Sequence, residues 1–233
     1  MSTMDLAQFR YLTFDVVGTL IDFEGGIVTS LGDIAAESSK VIDGEQALSL
    51  YRAARYAADA DRFPDDLVRV YDVMAPQLGL PRQTTLGERF RDSAARWKAF
   101  PDSAAAMARL ASRYKLIAMT NARRWALDHF ERELGSPFYA TFTVDDTGTE
   151  KPDPAFFTQV FAQEITNCSC MRIIGIIRRQ HCFNVAQVQA ACGYCWRRHI
   201  GALSVAAGAA QFDQMRGHKR VVVRYSDRVS RFV

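Results

Sequence analysis

The stretch "YLTFDVVGTLIDFE", residues 11–24, decides how the chain reads. A short apolar run ends on an acid, Asp15, and Gly18-Thr19 follow. Short apolar runs closed by glycine mark buried strands. Residues 11–17 are therefore expected as a buried parallel strand that delivers a carboxylate to a glycine turn. Taken alone, Asp15 would serve equally well as a helix N-cap, so its neighbours in space must decide its role. The residue two places on, Val17, is apolar.

Outward from this strand the periodicity changes. Residues 27–60 are rich in Ala, Leu, Ser and Glu and read as helix, as do 64–78 and 85–98. Gly79 and Pro81 punctuate the join. Apolar runs then return at 114–121, 138–144 and 171–177, with helix-like segments at 122–134, 154–164 and 185–193. Strands alternating with helices imply an α/β fold, a Rossmann-like parallel sheet flanked by helices. Ligands of such sheets bind beyond the carboxyl ends of the strands. Asp15, Thr19, Thr120 and Asn121 follow apolar runs closely, and Lys151 follows a loop, so one crevice is expected to gather them.

Composition narrows the class. The chain has 233 residues, 48% of them hydrophobic and 24% charged, which suits a globular protein with a sizeable core. No apolar run approaches the roughly 18 residues of a membrane span. "MSTMDLAQFR" at the start has no apolar leader core, so a cytoplasmic location and no membrane partner are expected. Charge is uneven: residues 1–164 carry 18 Lys and Arg against 24 acids, and residues 165–233 carry 11 against 2. The arginines of the basic third are scattered without interleaved aromatics, so no nucleic-acid partner is expected. All five cysteines lie there too, without the paired spacing of a zinc ribbon, and read as incidental thiols.

Three motifs carry a family resemblance. "FDVVGTL" (14–20), "AMTN" (118–121) and "EKPDPAFF" (150–157) occur in this order, the first and second on apparent strand ends. The chain resembles the haloacid dehalogenase superfamily, closest to the L-2-haloacid dehalogenase subgroup. The resemblance implies a core formed by residues 1–21 and 99–233 and an inserted helical cap, 22–98. It implies a hydrolase that removes halide from a short 2-haloalkanoic acid and leaves a 2-hydroxy acid. Asp15 is then the nucleophile and forms an ester that water opens. Lys151 pairs with Asp15, Thr19 orients it, and Thr120 and Asn121 donate to the substrate or to Asp15. Tyr51-Arg52 match a Trp-Arg pair of the family's cap, with Arg52 meeting the halide or carboxylate. Phe157 and Val17 line the pocket. The subgroup implies no cofactor, a small-molecule substrate and a homodimer.

The fourth motif departs from the pattern. "HCFN" (181–184) puts Asn184 where the family has an acid, and no acid lies between Glu164 and Asp213. An amide cannot take a proton from water as a carboxylate does. Divergence or a change of reading frame after about residue 165 would each produce this stretch. Two other functions stay open on sequence. A Mg2+-dependent phosphatase of the same fold usually carries an acid at position 17 to protonate its leaving group, and here that residue is Val17. A catalytically impaired binding protein would fit Asn184 but not an intact Asp15, Thr120 and Lys151.

Overall fold

The computed structural model describes residues 10–164 and, as backbone, two further strands, Ile173–Arg179 and Cys182–Val188. The five described strands are β1 (Tyr11–Phe14), β2 (Lys115–Met119), β3 (Ala140–Phe142), β4 (Ile173–Arg179) and β5 (Cys182–Val188). They form one sheet in the order β3-β2-β1-β4-β5. β1 is central and pairs in parallel with β2 and β4, and β2 pairs in parallel with β3. Chain order runs outward from β1 in both directions. The carboxyl end of β1 is thus a switch point, where open α/β sheets leave a crevice.

All four residues of β1 are buried, as expected of a strand covered on both faces. Alternation sorts its side chains. Leu12 and Phe14, with Leu116 and Ala118 of β2, enter one core cluster. Tyr11, with Ile117 and Met119, enters a second, where Phe142, Phe156 and Val160 join them. The first cluster also takes Ile27, Leu31, Leu48, Leu67 and Trp97 from the helical segment, so the helices and the sheet share buried contacts.

That segment holds α1 (Phe23–Ala36), α2 (Gly44–Arg55), α3 (Leu67–Met74) and α4 (Thr84–Asp92), and no strand. The single helix expected over 27–60 is two. Ser39 takes a positive φ of 52°, and Asp43 then caps α2 by accepting from Gln46 N, as Asx residues do at helix starts. A helix not foreseen in the sequence, α5 (Ser103–Ala111), leads into β2, and α6 (Arg124–Glu133) leaves it.

Two further expectations are corrected. The strand expected over 138–144 stops at Phe142. Thr143 and Asp146 form a capping box that turns the chain into the short helix α7 (Val144–Thr147). α8 (Pro154–Glu164) follows, as expected. The helix expected over 185–193 is overturned in its first half. Val185–Val188 belong to β5, which runs antiparallel to β4, with Ile173 opposite Val188 and Arg179 opposite Cys182. Short mixed apolar runs fit either period, and strand pairing decides between them. Residues 189–193 and Cys168, Cys170, Cys192 and Cys195 lie outside the described residues. Among the described residues no helix is long and apolar enough to cross a membrane.

Candidate active site

The strand expected over 11–17 stops at Phe14, because the chain then folds back sharply. Leu20 N and Ile21 N both donate to Val16 O, at 2.8 and 3.0 Å, and Gly18 N donates to Ile21 O at 2.9 Å. Gly18 sits at φ +81°, and a Cβ there would also press the Phe23 ring at 3.1 Å. Only glycine suits this turn. Its effect is to bring Thr19 back over the strand end, where its hydroxyl donates to Asp15 Oδ2 at 3.0 Å.

The other carboxylate oxygen meets Lys151. Nζ lies 2.7 Å from Asp15 Oδ1, with side chains 20% and 29% exposed. The same ammonium donates to the carbonyl of Met119, the last residue of β2. Phe14 registers with Ala118, so Met119 stands level with Asp15. Lys151 is thus held between two adjacent strand ends. An ammonium has three donors, and two are accounted for in this way.

Asn121 fixes the lysine from behind. Its Nδ2 donates to Lys151 O at 2.8 Å, and its Oδ1 accepts from Lys151 N at 2.7 Å. Nδ2 carries a second N–H, through which Asn121 would donate to the substrate or to Asp15 as its place after β2 leads one to expect. The structure gives both ends of its amide to the Lys151 backbone. Thr120 is buried at the end of β2 and accepts from Ala122 N at 3.2 Å. An accepting hydroxyl keeps its own O–H to donate.

The remaining sequence candidates stand apart from this group. Arg52 pairs with Glu24 at 2.7 Å, both about half exposed. Tyr51 is buried against Phe23, ring centroids 6.0 Å apart, and burial pushes its hydroxyl up to about 12. Phe157 packs on Phe156 beside the second core cluster. Val17 is half-buried and bridges to Ile21. Asn184 lies on β5 opposite Ile177, with β4 between it and β1. At normal strand spacing its backbone is about 10 Å from the line of β1. A cavity of about 460 Å3 lies on the helical segment, lined by Asp66, Arg69, Asp72 and Gln83 among others, and by no member of the Asp15 group.

An acid on a central strand end, oriented by a hydroxyl on one oxygen and an ammonium on the other, is placed to act as a nucleophile. The family model of haloacid dehalogenase-like hydrolases matches residues 9–170. The chain belongs to this family. No curated protein matches it in sequence. Solved structures similar to this hydrolase share its fold. The L-2-haloacid dehalogenase PA0810 is 21% identical, with a TM-score of 0.59 over 66% of this chain and 70% of that one. The HAD-hydrolase YfnB from Bacillus subtilis, solved with magnesium, is 18% identical, with a TM-score of 0.59 over 72% and 79%. L-2-haloacid dehalogenase from Xanthobacter autotrophicus is 18% identical, with a TM-score of 0.53 over 72% and 69%.

Magnesium is used by some hydrolases of this fold and wants several hard anionic oxygens. The described residues do not offer them. Both oxygens of Asp15 are engaged and position 17 is Val17, and among the described residues no group of three His, Cys, Asp or Glu is arranged to hold a metal ion.

Two contributors escaped the sequence reading. The Met119 carbonyl carries no signal in residue type. Glu24 sits in the first turn of α1, 28 residues from its partner Arg52, and only the packing of α1 on α2 joins them.

Proposed function

We propose that this hydrolase removes halide from a short 2-haloacid through an ester of Asp15. The observation that carries the reading is the Asp15 carboxylate held by Thr19 and Lys151, with Val17 two places on. A halide leaves without a proton, whereas an alkoxide needs an acid beside it. Val17 cannot supply one.

In the first step an Asp15 oxygen attacks C2 of the substrate. A C–O bond forms as the C–halogen bond breaks, and the halide leaves with the bonding pair. Attack turns a carboxylate into a neutral ester, so the role of Lys151 and Thr19 is to place the nucleophile rather than to stabilise it. In the second step water adds to the Asp15 carbonyl. Negative charge returns to the carboxyl oxygens, and Lys151 and Thr19 now face the charge that develops. The acyl C–O bond breaks, 2-hydroxy acid and carboxylate form, and one proton passes to solvent. No metal enters either step.

Arg52 serves the substrate anion in this reading. Its exposed pair with Glu24 is worth about 0–1 kcal/mol, so exchange of Glu24 for a substrate carboxylate or a halide costs little. Tyr51 packs on Phe23 and seats α2, Phe157 and Val17 border the apolar part, and residues 22–98 act as the cap. Asn184, where the family has an acid, lies on β5 beyond β4, and neither strand carries an acid that would activate water, so slow ester hydrolysis follows. The test is chloride release from 2-chloropropionate. The wild type releases chloride, Asp15→Asn does not, and an Asp15 ester accumulates in mass spectra. Release of phosphate from p-nitrophenyl phosphate with Mg2+, and no chloride, overturns the proposal.

A further inference from the structure

We propose that Arg123 is a positioning residue for the Asp15–Lys151 pair, the hub of an ionic clasp that pins residues 62–65 of the helical segment onto both loops that hold Lys151. The inference rests on the reading of Asp15 and Lys151 as the reactive pair, and its geometry is independent of the substrate.

Lys151 is reached by two routes. One is the Asn121 amide, in the loop after β2. The other is the chain from α7, through Gly148, to Lys151 itself. Arg123 touches both sides. It lies two residues past Asn121, and its Nε stands 2.8 Å from Asp145 Oδ1 of α7, an ionic contact without hydrogen-bond geometry. The other end of its guanidinium meets Asp65 at 2.9 Å. Its backbone N donates to Phe63 O at 2.8 Å, and Phe63 bridges to Ala122.

Neighbours repeat the pattern. Trp125 Nε1 donates to Asp65 Oδ1 at 3.1 Å. Arg62 donates to Gly148 O at 3.1 Å and lies 3.8 Å from Asp145. Arg124 N donates to Asp145 Oδ2 at 2.7 Å. An isolated exposed ion pair contributes little, but here one planar fork serves two acids on two separate segments. The clasp sets the distance between the Asn121 loop and the 145–151 loop. That distance decides whether the Lys151 ammonium reaches Asp15 and Met119 O together. A displacement of about 1 Å at such a site lowers rate by up to about a hundredfold.

The test compares the full-length wild type with Arg123→Gln, Arg123→Lys and Asp65→Asn. Two readouts are taken: kcat and KM for chloride release from 2-chloropropionate, and amide hydrogen exchange without substrate. Arg123→Gln is expected to lower kcat about tenfold and to leave KM within about twofold. Exchange is expected to quicken in both 62–65 and 145–151. Arg123→Lys keeps the charge but loses the fork, so it recovers part of kcat. Should Arg123→Gln not fold, Asp65→Asn carries the same expectation. A wild-type kcat, or a lost kcat with unchanged exchange at 145–151, overturns the proposal. If the wild type releases no chloride, exchange alone decides: quickened exchange at 145–151 supports the clasp while the proposed reaction falls, and unchanged exchange ends both.

Discussion

Two ion pairs of this molecule have the same length and opposite settings. Lys151–Asp15 and Arg52–Glu24 each close to 2.7 Å. The first has side chains 20% and 29% exposed, and each partner has further bonds, Thr19 on Asp15 and Met119 O on Lys151. The second is 50% and 46% exposed. Distance alone therefore says little about what a pair does. Partial burial strengthens the charges and makes removal of one partner costly, whereas an exposed pair is screened and readily exchanged. The first pair is built as fixed machinery and the second as a contact that can be given up.

The largest expected effect tests the fixed side. Lys151→Met should lower kcat for chloride release by about a hundredfold or more, measured against wild type at saturating substrate. A loss no larger than that of Glu24→Gln would erase the contrast. Next comes Tyr51, beside Arg52 but buried. Its hydroxyl is pushed by burial from about 10 to about 12. A raised value means that the folded state keeps a proton which the unfolded state loses. That stabilisation is complete below pH 10 and disappears as pH rises through 12, about 3 kcal/mol in denaturant titrations. Tyr51→Phe should flatten this alkaline loss.

Asn121→Ala follows. It frees the Lys151 backbone while the ammonium keeps Asp15 and Met119 O as partners, so the lysine is held less well in place and kcat should fall about tenfold. Steady-state kinetics on folded protein read it directly. The smallest effect belongs to the exchangeable pair. Glu24→Gln should change stability by less than about 0.5 kcal/mol and lower KM for an anionic 2-haloacid, with 2-chloropropionamide unaffected. A rise in KM would reverse the role given to Glu24.

The sequence exposed this site unevenly, for reasons visible in particular residues. Asp15, Thr19 and Lys151 were legible because each sits at a fixed offset from a strand end or a Pro-Asp-Pro turn. Parallel pairing in register then brings them together. Asn121 stands out in sequence as a donor, but its hold on the Lys151 backbone does not, because the partners of an amide 30 residues away are set only by the fold. Glu24, Arg123 and Asp65 were missed because surface-type charges acquire meaning only from partners far along the chain. The helix ends were blurred where Ser39 and Thr143 turn the backbone through local bonds and a positive φ, details that periodicity averages away. β5 was misread because edge pairing outweighs a short helical pattern.

The mooring of Lys151 on Met119 O has a consequence for timing. Under the proposed chemistry, Asp15 is neutral for as long as it is an ester. A lysine held by that charge alone would drift into solvent at the very stage when no counterion calls it back. The carbonyl of Met119 does not change its charge during turnover. The ammonium therefore waits at the strand end through the neutral interval, already in place when hydrolysis returns the carboxylate, and each cycle starts without a search.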